Sequence, residues 1–358
     1  MAENSLKIKY PRRKTRQIKV ADVLIGGDAP ISVQTMTKTK TADIKATVEQ
    51  IRLCGEAGAD IIRVTVNDEH AADAMKEIVK QSIVPIVADI HFNYIFALKS
   101  IEAGVAKVRI NPGNIGSQDR IKAVLTKAKE RQIPIRIGIN SGSLEKDILE
   151  KHGYPTAEAL FESAMRHIEI AHDFGFEDLA VSVKSTSVPL MIEAYRLLSE
   201  RTEFPLHLGV TEAGTYRSGT IKSAVGIGTL LSEGIGDTIR VSLTDEPQNE
   251  VIIGKEILRS LGLTQRGIEI ISCPTCGRLK IDLFKVTSEL EKAVASIKKN
   301  IKIAILGCAV NGPGEASEAD LGIAAGDGTA LLYKKGQIIK KIDERDIVSE
   351  ILNEINKL

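Results

Sequence analysis

From about residue 31 the chain repeats one pattern: a short apolar run rich in β-branched residues, followed by a longer stretch with helical spacing. In the first such stretch Ile44, Val48 and Ile51 recur at steps of four and three, with polar residues between them. The apolar runs predict eight strands. They cover residues 31–37, 60–66, 85–91, 107–112, 134–140, 179–185, 205–211 and 238–244.

Alternating strands and helices indicate an α/β fold with a parallel sheet covered by helices. Eight units without a break predict a closed (β/α)8 barrel of the TIM type, which usually takes about 250 residues. An open doubly wound sheet is the alternative, but no Gly-x-Gly-x-x-Gly fingerprint follows the first strand. Beyond the barrel the pattern changes to a smaller α+β domain. We therefore expect a barrel over 1–262 and a cysteine-bearing domain over 263–358.

The composition of the chain excludes several classes of function. The 358 residues are 43% hydrophobic and carry a net charge of +1, with acidic and basic residues interspersed, which argues against a partner that is nucleic acid or a membrane surface. No apolar run reaches the roughly 18–20 residues of a membrane span, and the N-terminal segment does not resemble a signal peptide. The basic run 12–16 is expected to be solvated. Four cysteines in a chain of this size favour a reducing cytoplasm.

Charged and amide side chains interrupt the predicted strands near their carboxyl ends, where barrel enzymes carry their catalytic groups. Pairs such as Asp89 with His91 alternate, which places both members on one face. Each residue alone is consistent with an ion pair at the barrel rim. Four arginines and a lysine from five strands exceed what Asp89 and Glu212 balance, so a ligand with several negative charges, such as a diphosphate, is indicated. These cations are Arg63, Arg109, Arg136, Lys184 and Arg240.

Three of the four cysteines lie in the C-terminal part. Cys273 and Cys276 are separated by two residues, and Cys308 follows an apolar run that predicts a strand. This spacing suits zinc or an iron–sulfur cluster. No histidine occurs after His207, so Glu315, in a turn-rich segment, is the candidate fourth ligand, whereas Cys54 is interpreted as a core residue.

Several segments carry a resemblance to a known family. They are Cys273-Pro-Thr-Cys276-Gly-Arg, Gly307-Cys308-Ala-Val-Asn-Gly-Pro-Gly-Glu315, Ser32-Val-Gln-Thr-Met-Thr37, Ala88-Asp-Ile-His-Phe92, Arg109-Ile-Asn-Pro-Gly-Asn114 and Gly209-Val-Thr-Glu-Ala-Gly214. Together they resemble the bacterial 4-hydroxy-3-methylbut-2-enyl diphosphate synthase (GcpE) family, in its two-domain form. The resemblance covers nearly the whole chain.

The resemblance implies an oxidoreductase of the non-mevalonate isoprenoid pathway. Its substrate would be 2-C-methyl-D-erythritol 2,4-cyclodiphosphate, which is reductively opened to the allylic diphosphate. Two electrons would come from flavodoxin or ferredoxin through a 4Fe-4S cluster, and family members are homodimers in which the cluster domain of one chain caps the partner's barrel. The implied cluster ligands are Cys273, Cys276, Cys308 and Glu315.

The resemblance also implies roles for the strand-end residues. Glu212 would be the proton donor beside the reacting carbons. The implied substrate-binding residues are Arg63, Asp89, His91, Arg109, Asn111, Arg136, Asn140, Lys184, Arg240, Ser242 and Asn311. Two rival functions are weighed against this one: a zinc-dependent barrel lyase or hydrolase acting on a phosphosugar, and an iron–sulfur scaffold or electron carrier without substrate chemistry.

Overall fold

The structure is a computed structural model that describes residues 11–111, 115–264, 267–295, 297, 299–310 and 312–358. The chain divides into two compact units, Met1–Thr264 and Gln265–Leu358. The division lies two residues from the predicted boundary. In the described residues no helix combines the length and the hydropathy needed to cross a membrane.

The first unit contains a hairpin followed by eight parallel strands. The hairpin strands are β1 Ile18–Val20 and β2 Val23–Ile25. The parallel strands are β3 Ser32–Met36, β4 Ile61–Val66, β5 Ile86–Ile90, β6 Lys107–Ile110, β7 Ile135–Asn140, β8 Leu179–Lys184, β9 His207–Leu208 and β10 Thr238–Ile239.

Helices alternate with these strands and cover the outside of the sheet. They are α1 Ile44–Glu56, α2 Glu69–Gln81, α3 Tyr94–Glu102, α4 Gln118–Glu130, α5 Lys146–His152, α6 Ala157–Asp173, α7 Val188–Arg201, α8 Tyr216–Ser232 and α9 Pro247–Ser260. Helices α5 and α6 show that the long segment after β7 is largely helical. Several helices begin at a side-chain cap; Asp68, for example, accepts from the backbone N–H of Ala71 at 2.8 Å.

The eight strands follow the order β8-β7-β6-β5-β4-β3-β10-β9. The two ends of this sheet meet through a parallel bridge between Val181 and Leu206, where the Val181 N–H donates to the carbonyl of Pro205 at 2.9 Å. The sheet therefore closes into a barrel. The predicted fold class, an α/β barrel of the TIM type followed by a smaller α+β unit, is confirmed.

Strands β9 and β10 are much shorter than the seven residues predicted for each. Strand β9 ends at Leu208, and the next residue, Gly209, lies very close to its neighbours. A Cβ atom there would lie 2.5 Å from the Arg240 carbonyl oxygen and 2.7 Å from Lys184 Nζ. The close approach requires glycine, and it ends regular pairing where the barrel opens.

The hairpin was not predicted, and it seals the amino-terminal end of the barrel. Ile18, Val20 and Ile25 are buried in one apolar cluster together with barrel residues such as Ile61 and Val87. Because the cluster excludes water from below, polar groups inside the barrel can reach solvent only through the opposite end.

The basic run 12–16 is only partly solvated: Lys14 and Arg16 are exposed, as predicted, whereas Arg12 and Arg13 tie the N-terminal segment to the barrel. Arg12 pairs with the buried Asp237 at 3.0 Å. Arg13 donates to the carbonyls of Ser199, Thr202 and Phe204 at the carboxyl end of α7, where cations complement the helix dipole.

The second unit is a five-stranded mixed sheet with helices. Its strands are β11 Ile268–Ser272, β12 Ile301–Leu306, β13 Leu321–Ala325, β14 Thr329–Lys334 and β15 Gln337–Asp343, and its helices are α10 Leu283–Val294, α11 Gly312–Ser317 and α12 Ile347–Asn356. Strands β11, β12 and β13 are parallel, and β14 and β15 continue antiparallel. The sequence patterns did not predict β15 or α11.

Candidate active site

Polar side chains from most of the barrel strands converge on a cavity of about 120 Å³ at the carboxyl ends of the strands. Nine of the predicted site residues line it, and Ser182 and Thr211 join them without having been predicted. The nine are Arg63, Asp89, His91, Arg109, Arg136, Asn140, Lys184, Arg240 and Ser242. Alternation along each strand directs these side chains inward while their apolar neighbours pack against the helices.

Asp89 is the acidic centre of the cavity. Its side chain is 4% exposed and accepts from Arg109 Nη1 at 3.1 Å, while Arg63 Nε and His91 Nε2 each lie 3.6 Å from Oδ2. Burial alone would raise the pKa of Asp89, but Arg63 and Arg109 outweigh it and hold that pKa well below its usual range. The carboxylate therefore stays ionised and fixes two guanidinium groups.

Arg109 is held on three sides. Besides its bond to Asp89, it donates to the carbonyl of Gly138 on the neighbouring strand at 2.9 Å, and its Nη1 lies 2.9 Å from His91 Nε2. Since a guanidinium can only donate, His91 Nε2 accepts here. A side chain at Gly138 would collide with this guanidinium, so glycine is needed for Arg109 to cross β7.

Arg240 depends on a carboxylate that the sequence analysis missed. Glu250, in the first turn of α9, is fully buried and lies 3.3 Å from Arg240 Nη2 and 3.3 Å from Lys38 Nζ. It also accepts from Thr35 Oγ1 at 2.8 Å and from the backbone N–H of Leu243 at 3.0 Å. Glu250 thus joins the segments that follow β3 and β10.

The sequence predicted that Glu212 and Asp89 balance the cations. The structure corrects this prediction, because the second carboxylate that pairs with them is Glu250. Glu212 is exposed and is not among the cavity-lining residues. Its backbone is left-handed (φ 50°) and directly follows the lining residue Thr211. The left-handed backbone ends the strand geometry at this position.

The remaining cations, Arg136 and Lys184, form no salt bridge with a carboxylate of the described residues. Arg136 is 1% exposed, and its Nε and Nη1 make no hydrogen bond to the described residues. Burial, followed by the charges of Arg63 and Arg109, lowers its pKa, although a guanidinium keeps its proton even so. Lys184 is also buried, and burial together with Arg136 and Arg240 lowers its pKa well below the ordinary value. The cavity therefore has an uncompensated positive field.

One further predicted residue, Asn111, lies apart from the cavity lining. Asn111 is buried and donates from Nδ2 to Ser143 Oγ at 3.2 Å, which ties the end of β6 to the segment after β7. Asn311 lies outside the described residues.

The predicted cluster ligands lie at the carboxyl edge of the second sheet. Ser272 is opposite Ile305 in the parallel register of β11 and β12, so Cys273 and Cys308 leave adjacent strands at the same edge. The N–H of Cys273 donates to the Ile305 carbonyl at 3.4 Å. Cys273 and Cys308 are half-buried, and Cys276 is exposed.

The chain reverses direction in a tight turn between Cys273 and Cys276. Thr275 is left-handed (φ 65°), and the segment after the turn is tied down because the Lys280 N–H donates to the Gly307 carbonyl at 2.9 Å. The backbone N–H of Arg278 and then its side chain lower the pKa of the Cys276 thiol. The Arg278 pKa is raised by Cys276 and also by the charge of Cys308, which indicates that Arg278 lies near both.

Glu315, the fourth predicted ligand, is exposed on α11, which follows β12 at the same edge. Across the residues that the structure describes, no three Cys, His, Asp or Glu side chains are close enough to hold one metal ion. Cys54 is fully buried in the barrel core, as predicted, and burial raises the pKa of its thiol to about 12.

The two units match two consecutive domains of one family. The GcpE TIM-barrel domain matches residues 15–255, and the GcpE protein C-terminal domain matches residues 269–357. The chain belongs to the GcpE family. The resemblance found in the sequence motifs is therefore confirmed over both units.

The alignments of this GcpE chain with curated relatives cover nearly the full length of both proteins. A protein of Clostridium perfringens (strain 13 / Type A) is 56% identical over 347 residues, covering 97% of this chain and 99% of the relative. One of Caldanaerobacter subterraneus subsp. tengcongensis is 57% identical over 347 residues, covering 97% and 98%. Both are named 4-hydroxy-3-methylbut-2-en-1-yl diphosphate synthase (flavodoxin).

Solved structures share the barrel with this GcpE chain. Dihydropteroate synthase from Yersinia pestis aligns with a TM-score of 0.50 at 13% identity, covering 69% of this chain and 97% of that one. The enzyme from Xanthomonas albilineans with 4-aminobenzoic acid gives a TM-score of 0.50 at 14% identity, covering 69% and 97%. At these identities the likeness concerns the fold alone.

We expect Glu250→Gln to lower the free energy of unfolding by about 1–3 kcal/mol, because the amide leaves Arg240 and Lys38 without their buried anion. Chemical denaturation measures the change. Glu246→Gln is the matched control, since Glu246 is exposed just before the same helix and its side chain makes no capping bond. Equal stability of both variants would show that Glu250 does not hold the charge network together.

Proposed function

We propose that the chain catalyses the reductive opening of 2-C-methyl-D-erythritol 2,4-cyclodiphosphate to 4-hydroxy-3-methylbut-2-enyl diphosphate. The chain is an oxidoreductase of non-mevalonate isoprenoid biosynthesis, and the names of its curated relatives confirm the activity predicted from the motifs. The finer assignments below, to single residues, a cofactor and partners, are proposals.

One observation carries the substrate assignment: five cations line the barrel cavity, and among the described residues two carboxylates pair with members of this set. The cations are Arg63, Arg109, Arg136, Lys184 and Arg240. Asp89 and Glu250 are the carboxylates bonded to them. A buried excess of positive charge is costly unless an anion compensates it, and the two phosphates of a cyclic diphosphate would do so. Arginine suits this role because its planar fork matches phosphate oxygens in pairs.

The second unit offers a donor set for a 4Fe-4S cluster: Cys273, Cys276, Cys308 and Glu315 at one sheet edge. Three thiols and a carboxylate fit such a cluster, since thiolates are the usual ligands of iron–sulfur centres. The ligands of a cubane cluster lie farther apart than those of one ion, because each binds a different iron. Such a set does not need to converge on one point, and no three of these side chains do so in the described residues. When bound, the cluster supplies single electrons at low potential.

The chain's own groups perform the remaining tasks. Arg109 and Arg136 would bind phosphate oxygens and stabilise charge on the leaving oxygen as its bond to carbon breaks. Asp89 orients Arg63 and Arg109, and Glu250 orients Arg240. We assign the proton-donor role to the carboxyl group of Glu212. This residue directly follows Thr211, which lines the cavity. Asn111, Asn140, Ser242 and Asn311 remain proposed substrate contacts.

The proposed electron donor is flavodoxin, in keeping with the names of the relatives, with ferredoxin as the alternative. We also propose a homodimer in which the cluster unit of one chain serves the partner's barrel. Ile221 and Val225 on α8 and Ile252 on α9 are exposed apolar side chains that suit contact with a second copy. A cytoplasmic location is proposed because free cysteines persist in a reducing compartment.

The proposal is tested by anaerobic turnover of the cyclic diphosphate with a strong chemical reductant, with the product identified by mass spectrometry. We expect brown protein and formation of the linear allylic diphosphate. Colourless, zinc-loaded protein that turns over a phosphosugar would support the first rival. A cluster whose spectrum does not respond to the cyclic diphosphate would support the electron-carrier rival.

A further inference from the structure

Lys107 is an ionisable residue to which the proposed function assigns no role. It is the first residue of β6 and is 0% exposed, and its Nζ makes no hydrogen bond to the described residues. Because it alternates with Arg109, whose guanidinium lies in the cavity, Lys107 also points into the barrel. A fully buried lysine without a partner is rare and costly.

In the part of the chain that the structure describes, no opposite charge is paired with Lys107. Val87, opposite Lys107 in the register of β5 and β6, belongs to the apolar cluster that seals the lower end of the barrel. Arg136 and Arg63 are the charges that act on Lys107 most strongly. His207, on β9, is also fully buried and feels the charge of Lys107. The other titratable groups that line the cavity are Asp89, His91, Arg109, Lys184 and Arg240, and the buried Tyr195 hydroxyl donates to the His207 carbonyl.

None of these groups stabilises an ammonium at Lys107. Asp89 lies on β5, the strand next to that of Lys107. Its carboxylate is already bonded to Arg109 and lies beside Arg63. Burial, followed by the charges of Arg136 and Arg63, lowers the pKa of Lys107 well below its ordinary value. Buried lysines in proteins can lose their proton near neutral pH for this reason. A dianion bound among the arginines offsets most of this positive field and so favours the ammonium.

We propose that Lys107 is a proton-loading residue beneath the diphosphate site, uncharged in the free protein and protonated when the polyanion binds. The step is a proton transfer from solvent to Nζ, with no other bond made or broken. Lys107 would act through the field and through Arg136, so it is a positioning residue for the substrate. This inference rests on the proposed function, since it requires a diphosphate in the cavity.

Proton uptake can be measured directly. The oxidised holoprotein is titrated with the cyclic diphosphate by calorimetry in two buffers that differ in ionisation enthalpy, without reductant. Each phosphorus of a cyclic diphosphate carries a single strongly acidic oxygen, so protons taken up near neutral pH belong to the protein. We expect uptake of about one proton through Lys107, beyond any taken up by Lys184, whose pKa burial and the arginines also lower. By linkage, the association constant should fall about tenfold per unit rise in pH for each proton taken up.

The decisive variant is Lys107→Met, which keeps the volume and removes the amine. It should take up about one proton fewer than the wild type and bind at least about tenfold more weakly near neutral pH, because the coupled protonation is lost. Its Tm should rise by about 2–4 °C, since an unpaired polar group leaves the core. Gln34→Met is the matched control: Gln34 is equally buried and unpaired but does not titrate.

The outcomes separate this inference from the proposed function. Wild-type protein that does not bind the cyclic diphosphate contradicts the proposed function. Wild-type protein that binds it without proton uptake overturns the role of Lys107, whether or not the variants fold. Equal uptake by Lys107→Met and the wild type overturns it as well. Uptake that falls in Lys107→Met but not in Gln34→Met supports it.

Discussion

Replacing Arg136 with methionine should weaken binding of the cyclic diphosphate by about 2–5 kcal/mol, the usual cost of removing one member of a buried charge pair. Arg136 is 1% exposed, and two of its nitrogen atoms have no partner among the described residues. Its guanidinium is therefore available to the ligand. The dissociation constant of the oxidised holoprotein, measured by calorimetry, checks this prediction.

The same substitution should leave the free energy of unfolding unchanged or increased, because it removes an uncompensated buried charge. This combination distinguishes a binding role from a structural one. Arg196→Met is the control, since Arg196 is an arginine at the surface that pairs with Glu193 and Glu233. Unchanged affinity in Arg136→Met, or an equal loss in Arg196→Met, would contradict the assignment of the cavity as the diphosphate site.

Cys308→Ser should reduce turnover by at least about 100-fold, because loss of an outer-shell partner of a metal ligand already costs about 10–100-fold and a ligand matters more. Binding of the cyclic diphosphate to the barrel should be much less affected, since the cations that bind it belong to the other unit. Anaerobic rate assays, iron analysis and calorimetry on one preparation test both statements.

Cys54→Ala is the control for this substitution. Cys54 is a free cysteine in the barrel core, so its loss should cost some stability but no iron. If Cys308→Ser kept the iron content and the rate of the wild type, the donor set proposed for the cluster would be wrong.

Much of the cavity was predictable because a strand has a period of two. Once eight strands are assigned, alternation places Asp89 with His91 and Arg136 with Asn140 on one face, and closure of the barrel brings the faces together. Arginines within otherwise apolar runs are conspicuous for the same reason. The sequence does not show how these groups pair, since the bond from Asp89 to Arg109 depends on rotamers and on the space at Gly138.

Glu250 and Lys107 were missed for different reasons. Glu250 lies in the first turn of a helix, where acidic residues are common for local electrostatic reasons, so nothing in its sequence position indicates burial. Its contact with Thr35 joins distant parts of the chain, and its contact with Arg240 spans the loop before the helix. Lys107 stands at the predicted start of a strand, a place where a lysine ordinarily reaches solvent. In the folded barrel, the apolar cluster below Lys107 closes this route to solvent.

Elements with weak patterns were also missed. Strand β15 is an edge strand whose residues are mostly exposed, so it lacks an apolar face to mark it. The hairpin β1–β2 has only three residues in each strand. Glu212 illustrates a different limit, because the period of a strand does not apply to a residue with a left-handed backbone beyond the strand end.

The most direct test of the account is to measure the anaerobic rate of cyclic diphosphate reduction against iron content in preparations loaded to different extents. The account predicts a rate proportional to bound iron, approaching zero in iron-free protein, with about four iron atoms per chain at full activity. An iron-free preparation that is fully active would contradict it.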